Sequence, residues 1–174
     1  IAFLDSDDFW YRNKLERVEN EVNKCAEINF LCHDEMLIKK NSDKKMMLHS
    51  TSFNESSPLK KQLFYANFIS TSTVVCKKSL IIENCFFDES LMSAQDYDLW
   101  LRLSPQINLK FIKEILGNYV ERKGNITSGN LRLRFLNDIR ISFKHRFNIP
   151  ISTFLLRFIR IFLSYIKQLI FRIF

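Results

Sequence analysis

A chain of 174 residues with 47% apolar and 26% charged side chains is long enough to bury a core and too apolar to be disordered. Its net charge of +7 is unevenly placed: residues 131–174 carry nine Lys and Arg against one Asp, while residues 1–130 are close to neutral. A basic excess confined to the most apolar stretch argues against nucleic acid as a partner and for an anionic membrane surface.

In chain order, the apolar run Ile1 to Leu4 predicts a strand, and Asp5-Ser6-Asp7-Asp8 follows at its carboxyl end. In open α/β sheets that end of a strand is where ligands bind. Asp5 and Asp7, two apart across a small residue, can turn toward one point as hard oxygen ligands, a donor set suited to Mg²⁺ or Mn²⁺ carrying a diphosphate. Without a cation there, the clustered like charges repel. Asp8 is read instead as the N-cap of the next helix. That helix spans residues 11–25, with Leu15, Val18, Val22 and Cys25 as its apolar side.

Strands are predicted over 28–32 and 36–38, then a polar surface excursion over 39–57 with at most a short strand at 46–49. Pro58 begins a helix running to about Asn67, with Ser57 as its cap. The β-branched and hydroxyl-rich stretch Ile69 to Cys76 reads as a strand with a polar approach. A short helix over 77–82 and a turn at 86–89 precede a helix from Ala94, which buries Leu99, Trp100 and Leu103. Asp96 lies at or before its first turn, where the helix dipole favours an ionised carboxylate. It serves there either as a cap or as a general base.

Residues 109–120 give a strand or two, broken at Gly117-Asn118, then a loop over 124–129 and a basic helix over 131–147. Cys25, Cys32, Cys76 and Cys85 form no CxxC pair, and Cys32-His33 reads as strand filler rather than a ligand pair. Free thiols without a signal peptide fit a reducing cytoplasm. Over 151–174, Arg157, Arg160, Ser164, Lys167, Gln168 and Arg172 fall on one side of a helical wheel and Phe, Leu and Ile on the other. No uncharged stretch is long enough to span a bilayer. The tail is expected to lie on the inner face of the cell membrane, with a core or dimer-forming helix as the alternative.

The motifs "FLDSDDFWYRNKLE", "NFISTSTVVCKKSL", "FFDESL" and "AQDYDLWLRL", in that order, resemble the family 2 glycosyltransferases of the GT-A fold. The resemblance runs from Ile1 to about Ser128. It implies an α/β fold, here an incomplete GT-A domain over 1–128, followed by a basic amphipathic helical tail over 129–174. It also implies that Asp5 and Asp7 bind a divalent metal and the diphosphate of a UDP-, GDP- or dTDP-sugar, and that Asp96 deprotonates the acceptor hydroxyl in an inverting transfer. The acceptor is expected to belong to cell-surface polysaccharide or lipid-linked glycan synthesis. Gln95 stands where the family has Glu, and Val120-Glu121 departs from the family's later Arg- and His-bearing loop, so no site is assigned there. The family's nucleotide-binding βαβ units precede the DxD strand, so this chain by itself is expected to be inactive or nearly so. Two other readings use the same residues: a haloacid-dehalogenase-type phosphatase with Asp5 as nucleophile and Asp7 as acid, and a non-catalytic, membrane-associated remnant.

Overall fold

The computed structural model describes residues 1–122 and 131–173, with side chains described to residue 170. The predicted loop at 124–129 and the predicted boundary at 128 lie outside the described residues. The chain divides into two compact units, Ile1–Asn54 with Phe68–Phe86 and Leu103–Lys123, and Glu55–Asn67 with Phe87–Arg102 and Gly124–Phe174.

The first unit is an open mixed sheet with helices, consistent with a Rossmann-like topology. Its strands are β1 (Phe9–Trp10), β2 (Phe30–Ile38), β3 (Lys44–Met47), β4 (Val75–Cys76) and β5 (Leu109–Val120). β2 runs parallel to β5 on one side, and its other edge is shared by β3 and β4, both antiparallel to it. β1 closes the far edge of β5, with Trp10 opposite Gly117. Gly117 does not break β5. It lets β1 approach, because a Cβ there would meet the Phe9 carbonyl oxygen at 2.8 Å. Phe30 to Glu35 are all buried, as expected of a central strand.

Helix α1 (Lys14–Lys24) packs Val18 on the sheet, where it joins Ile28, Leu31, Ile112 and Leu116 in the core. The predicted apolar side is only partly used, since Leu15, Val22 and Cys25 are exposed and Lys14 is fully buried. The stretch 69–76 is likewise not a continuous strand. It forms a 3₁₀ turn at Thr71–Thr73 and then β4. The expected strand over Ile1 to Leu4 is not formed; Ala2 makes an isolated antiparallel bridge to Val75, and the Phe3 N–H donates to the Val74 carbonyl at 3.1 Å. Another 3₁₀ turn, His49–Ser52, is held by the buried Asp34, whose carboxylate accepts bonds from the Ser50 N–H and hydroxyl at 2.8 Å each. Helix α3 (Lys78–Glu83) completes this unit.

The second unit is helical: α2 (Leu59–Tyr65), α5 (Leu131–Lys144) and α6 (Ile151–Ile173), with α4 (Gln95–Leu103) contributing all but its last residue. Ser57 does not cap α2. Pro58 occupies the cap position without a side-chain bond, and Gln62 folds back to donate to the Ser57 carbonyl. Tyr97 donates to the carbonyls of Leu63 and Phe64, tying α4 to α2. Phe64, Phe143, Phe154 and Phe158 form an aromatic cluster among α2, α5 and α6.

Helix α6 turns part of its polar side inward. Arg157 is buried, donating to Asp138 at 3.0 Å and to the Tyr65 carbonyl at 3.3 Å, and it lies over the Tyr97 ring. Leu155, Leu156, Ile159, Phe162, Leu163 and Ile166 are left exposed. No helix among the described residues is long and apolar enough to cross a membrane.

Candidate functional site

The acidic turn is organised by a residue on another segment, Ser72. The Ser72 hydroxyl donates to Asp8 Oδ2 at 2.5 Å and accepts the Asp5 N–H at 3.1 Å, while its carbonyl accepts Trp10 Nε1 at 2.9 Å and Lys14 Nζ at 2.8 Å. The Asp8 N–H closes the turn on the Asp5 carbonyl at 3.1 Å. Asp5 is exposed and Asp7 half-buried, so the two predicted ligands stay at the surface of a turn whose base is fixed from below.

Asp8 is not a helix cap. α1 begins at Lys14 behind the cap position Asn13, whose side chain makes no cap bond. Asp8 is buried, and its second oxygen accepts the Val120 N–H at 3.0 Å, tying the turn to the end of β5. Burial pushes its pKa above the ordinary carboxylate value, against the bonds from Ser72 and Val120. Replacing Ser72 with Ala removes the Asp8 donor and the Asp5 acceptor together. The expected cost is about 1–3 kcal/mol, measurable as a lower urea midpoint. An unchanged midpoint would show that Ser72 is not the anchor.

Beneath the turn lies a polar layer. Lys14 Nζ sits 3.8 Å from the Trp10 ring centroid, and burial lowers its pKa to about 7. His33 is buried, and desolvation lowers its pKa to about 4. Its Nδ1 lies 2.7 Å from the Asp34 carbonyl, so the neutral ring carries its proton there, and Nε2 has no hydrogen-bond partner among the described residues. The buried Cys32 thiol is pushed well up by desolvation, and that of Cys76 up to about 11. Cys32 and His33, both buried in β2, match the strand-filler reading. Among the described residues no three His, Cys, Asp or Glu side chains gather as a metal site. The Asp5-Asp7 pair offers the one or two carboxylates that a phosphate-bound Mg²⁺ takes from protein.

Asp96 lies in the second unit. It is half-buried in the first turn of α4 and lines a cavity of about 390 Å³ built from α4, α5 and α6. Arg134, Asn137, Asp138, Arg157 and Arg160 share this wall. Burial pushes the Asp138 pKa up, opposed by the Arg157 guanidinium it holds. Gln95 turns away from this chemistry and donates to the Leu91 carbonyl at 2.7 Å. Neither Ser72 nor the cavity's arginines stood out in the sequence. Ser72 lay inside an expected strand, Arg134 in a basic helix, and Arg157 and Arg160 on the polar side of a helix expected at a membrane surface.

The chain is 30% identical over 129 residues to the amylovoran biosynthesis glycosyltransferase AmsB of Erwinia amylovora, an alignment covering 68% of this chain and 41% of that protein. It is 27% identical over 122 residues to an uncharacterized glycosyltransferase of Methanocaldococcus jannaschii, with the same coverage. A further uncharacterized glycosyltransferase, from Rickettsia bellii, is 29% identical over 119 residues, or 17% of its own length. The chain is a distant homologue of glycosyltransferases. It spans less than half the length of these relatives. No family model matches it.

Proposed function

We propose that this chain carries the metal–diphosphate turn and the acceptor-activating carboxylate of an inverting, family 2 type glycosyltransferase with a nucleotide-diphospho-sugar donor. The observation that carries this reading is the placement of Asp96, a carboxylate in the first turn of a helix, facing a cavity that has room for part of an acceptor. In the reaction, the acceptor oxygen forms a bond to the sugar's anomeric carbon from the face opposite the diphosphate. The bond from that carbon to the diphosphate breaks, its electron pair leaves with the diphosphate, and the acceptor proton passes to Asp96.

Asp5 and Asp7 are the residues that would hold Mg²⁺ or Mn²⁺ with the donor. Bound there, the ion would supply charge stabilisation for the diphosphate. Ser72, Asp8 and Val120 would keep that turn in shape. The polysaccharide or lipid-linked glycan acceptor belongs to this reading too. So does peripheral attachment to an anionic membrane through the exposed apolar side of α6, supported by the cations of α5 and α6.

The test is Asp96→Asn in the full-length protein. Donor binding is expected to persist while transfer falls by roughly 10²–10⁴-fold, the usual contribution of a positioned base. Near-normal transfer by this variant would exclude Asp96 as the base.

A further inference from the structure

Two concavities of the helical unit share a wall. The cavity that holds Asp96 is lined on its α6 side by Arg157, Arg160 and Ser164. On the other side of Arg160 and Ser164 lies a trough of about 370 Å³ walled by Tyr65, Leu156, Ile159, Leu163 and Lys167. One compartment is thus polar and carries the proposed base, and its neighbour is mostly aliphatic.

Charge separates the arginines of this wall. Arg157 is buried and matched to Asp138, so it holds the helices together. Arg160 is exposed, one turn further on, with its guanidinium stacked 5.1 Å from the Tyr65 ring centroid. Its Nη1 donates to the Tyr65 carbonyl at 3.2 Å, which uses one of five N–H donors and fixes the direction of the rest. A planar fork held in this way at a polar–apolar border suits a phosphate, which it can engage through two parallel bonds. Lys167 adds a second cation to the trough. The aliphatic residues beside it are exposed: Leu156 by 52%, Ile159 by 54% and Leu163 by 61%. Surface of this kind is costly to leave in water and is continuous with the cationic border.

We propose that Arg160 and the adjoining Leu156–Ile159–Leu163 trough form an acceptor subsite for a phosphate-bearing lipid, the phosphate at Arg160 and the hydrocarbon chain along α6. This rests on the reading of Asp96 as the acceptor's base, because a lipid phosphate at Arg160 would direct the attached acceptor group into the Asp96 cavity. Arg160 acts here as a binding residue, and the phosphate takes no part in proton transfer.

Binding of farnesyl phosphate to the full-length protein, measured by calorimetry below the probe's aggregation threshold and without sugar donor, tests the subsite. Farnesol and inorganic phosphate are the controls. Farnesyl phosphate is expected to bind at least about tenfold more tightly than either control, Arg160→Ala to weaken it by about tenfold or more, and Arg160→Lys to fall between. Leu163→Asp should weaken farnesyl phosphate as well, through the trough. Equal binding of farnesol and farnesyl phosphate, or unchanged affinity in Arg160→Ala, overturns the proposal. Tight binding of inorganic phosphate alone would make the site a simple anion site and also overturn it. So would a dimer that Leu156→Asp and Leu163→Asp dissociate while farnesyl phosphate fails to bind. Loss of transfer in Asp96→Asn together with Arg160-independent probe binding sinks the subsite and leaves the function standing. Arg160-dependent binding together with normal transfer by Asp96→Asn does the reverse.

Discussion

Replacing Asp98 with Asn is expected to lower the stability of the helical unit by roughly 3–5 kcal/mol, the cost of breaking a buried ion pair by removing one partner. The Asp98 side chain has no exposed surface. Its carboxylate accepts His145 Nε2 at 2.8 Å, Lys144 Nζ at 2.8 Å and Arg102 Nε at 3.0 Å, and Lys144 also reaches Asp88 at 2.7 Å. Burial alone would raise the Asp98 pKa, but the bonds from His145, Lys144 and Arg102 outweigh it and hold the carboxyl well below the ordinary range. Because the folded value is depressed, the stabilisation is complete above the unfolded carboxylate pKa. It is lost only as acid protonates Asp98 below that range. A domain is stable by only about 5–15 kcal/mol, so Asp98→Asn removes a large share of the total. Denaturant unfolding followed by circular dichroism, at neutral pH and at pH 3, is the check. The variant should be much weaker at neutral pH, and the gap to the unsubstituted protein should narrow in acid. A neutral-pH difference under 1 kcal/mol would show that His145, Lys144 and Arg102 find other partners.

Asp98 also shows what the sequence could reveal. Asp98 and Arg102 are four apart on a predicted helix, so their pairing was available from spacing. His145 and Lys144 are more than forty residues away, and only the fold brings them in. The same division runs through the whole chain. The helix at 95–103, with Leu99, Trp100 and Leu103 buried, followed from a strong helical period. So did α6, while β5 was legible as strand but with a break at Gly117-Asn118 that the structure does not have.

Periodicity misled where a polar group was drawn inward by distant partners. Lys14, rather than Leu15 or Val22, is the fully buried side chain of α1, because Ser72 and Trp10 receive it. The hydroxyl-rich stretch 69–76 has strand composition, but Thr73 bonds back to the Ser70 carbonyl and makes a turn instead. Asp8 looked like a cap because caps are local, whereas its partners Ser72 and Val120 are 64 and 112 residues away. Arg157 read as part of the cationic side of a membrane-surface helix, and Asp138 with the Tyr65 carbonyl brings it inside. The carboxylates of the proposed site, Asp5, Asp7 and Asp96, stood out because they lie next to clear element boundaries. Their supporting groups did not.

Lys14 yields the second large effect, in the opposite sense to Asp98. Burial lowers its pKa to about 7, against about 10.4 in an unfolded chain. Below pH 7 both states carry the proton, and the cost of burying an ammonium is fully present. Between about pH 7 and 10 the unfolded chain holds a proton that the folded one has released, so stability must rise with pH across that window. The rise is about 1.4 kcal/mol per pH unit, on the order of 4–5 kcal/mol in all. Lys14→Met lacks this contribution, so the stability difference between the two proteins should climb from pH 7 to pH 9.5 in urea unfolding. A difference that stays flat would mean that Lys14 keeps its proton in the fold. The Trp10 face and the Ser72 carbonyl would then solvate the ammonium better than burial suggests. In either protonation state Nζ still carries an N–H for the Ser72 carbonyl. The hydrogen bond that braces Ser72, and through it the Asp5–Asp8 turn, is therefore retained while the charge beneath the turn changes.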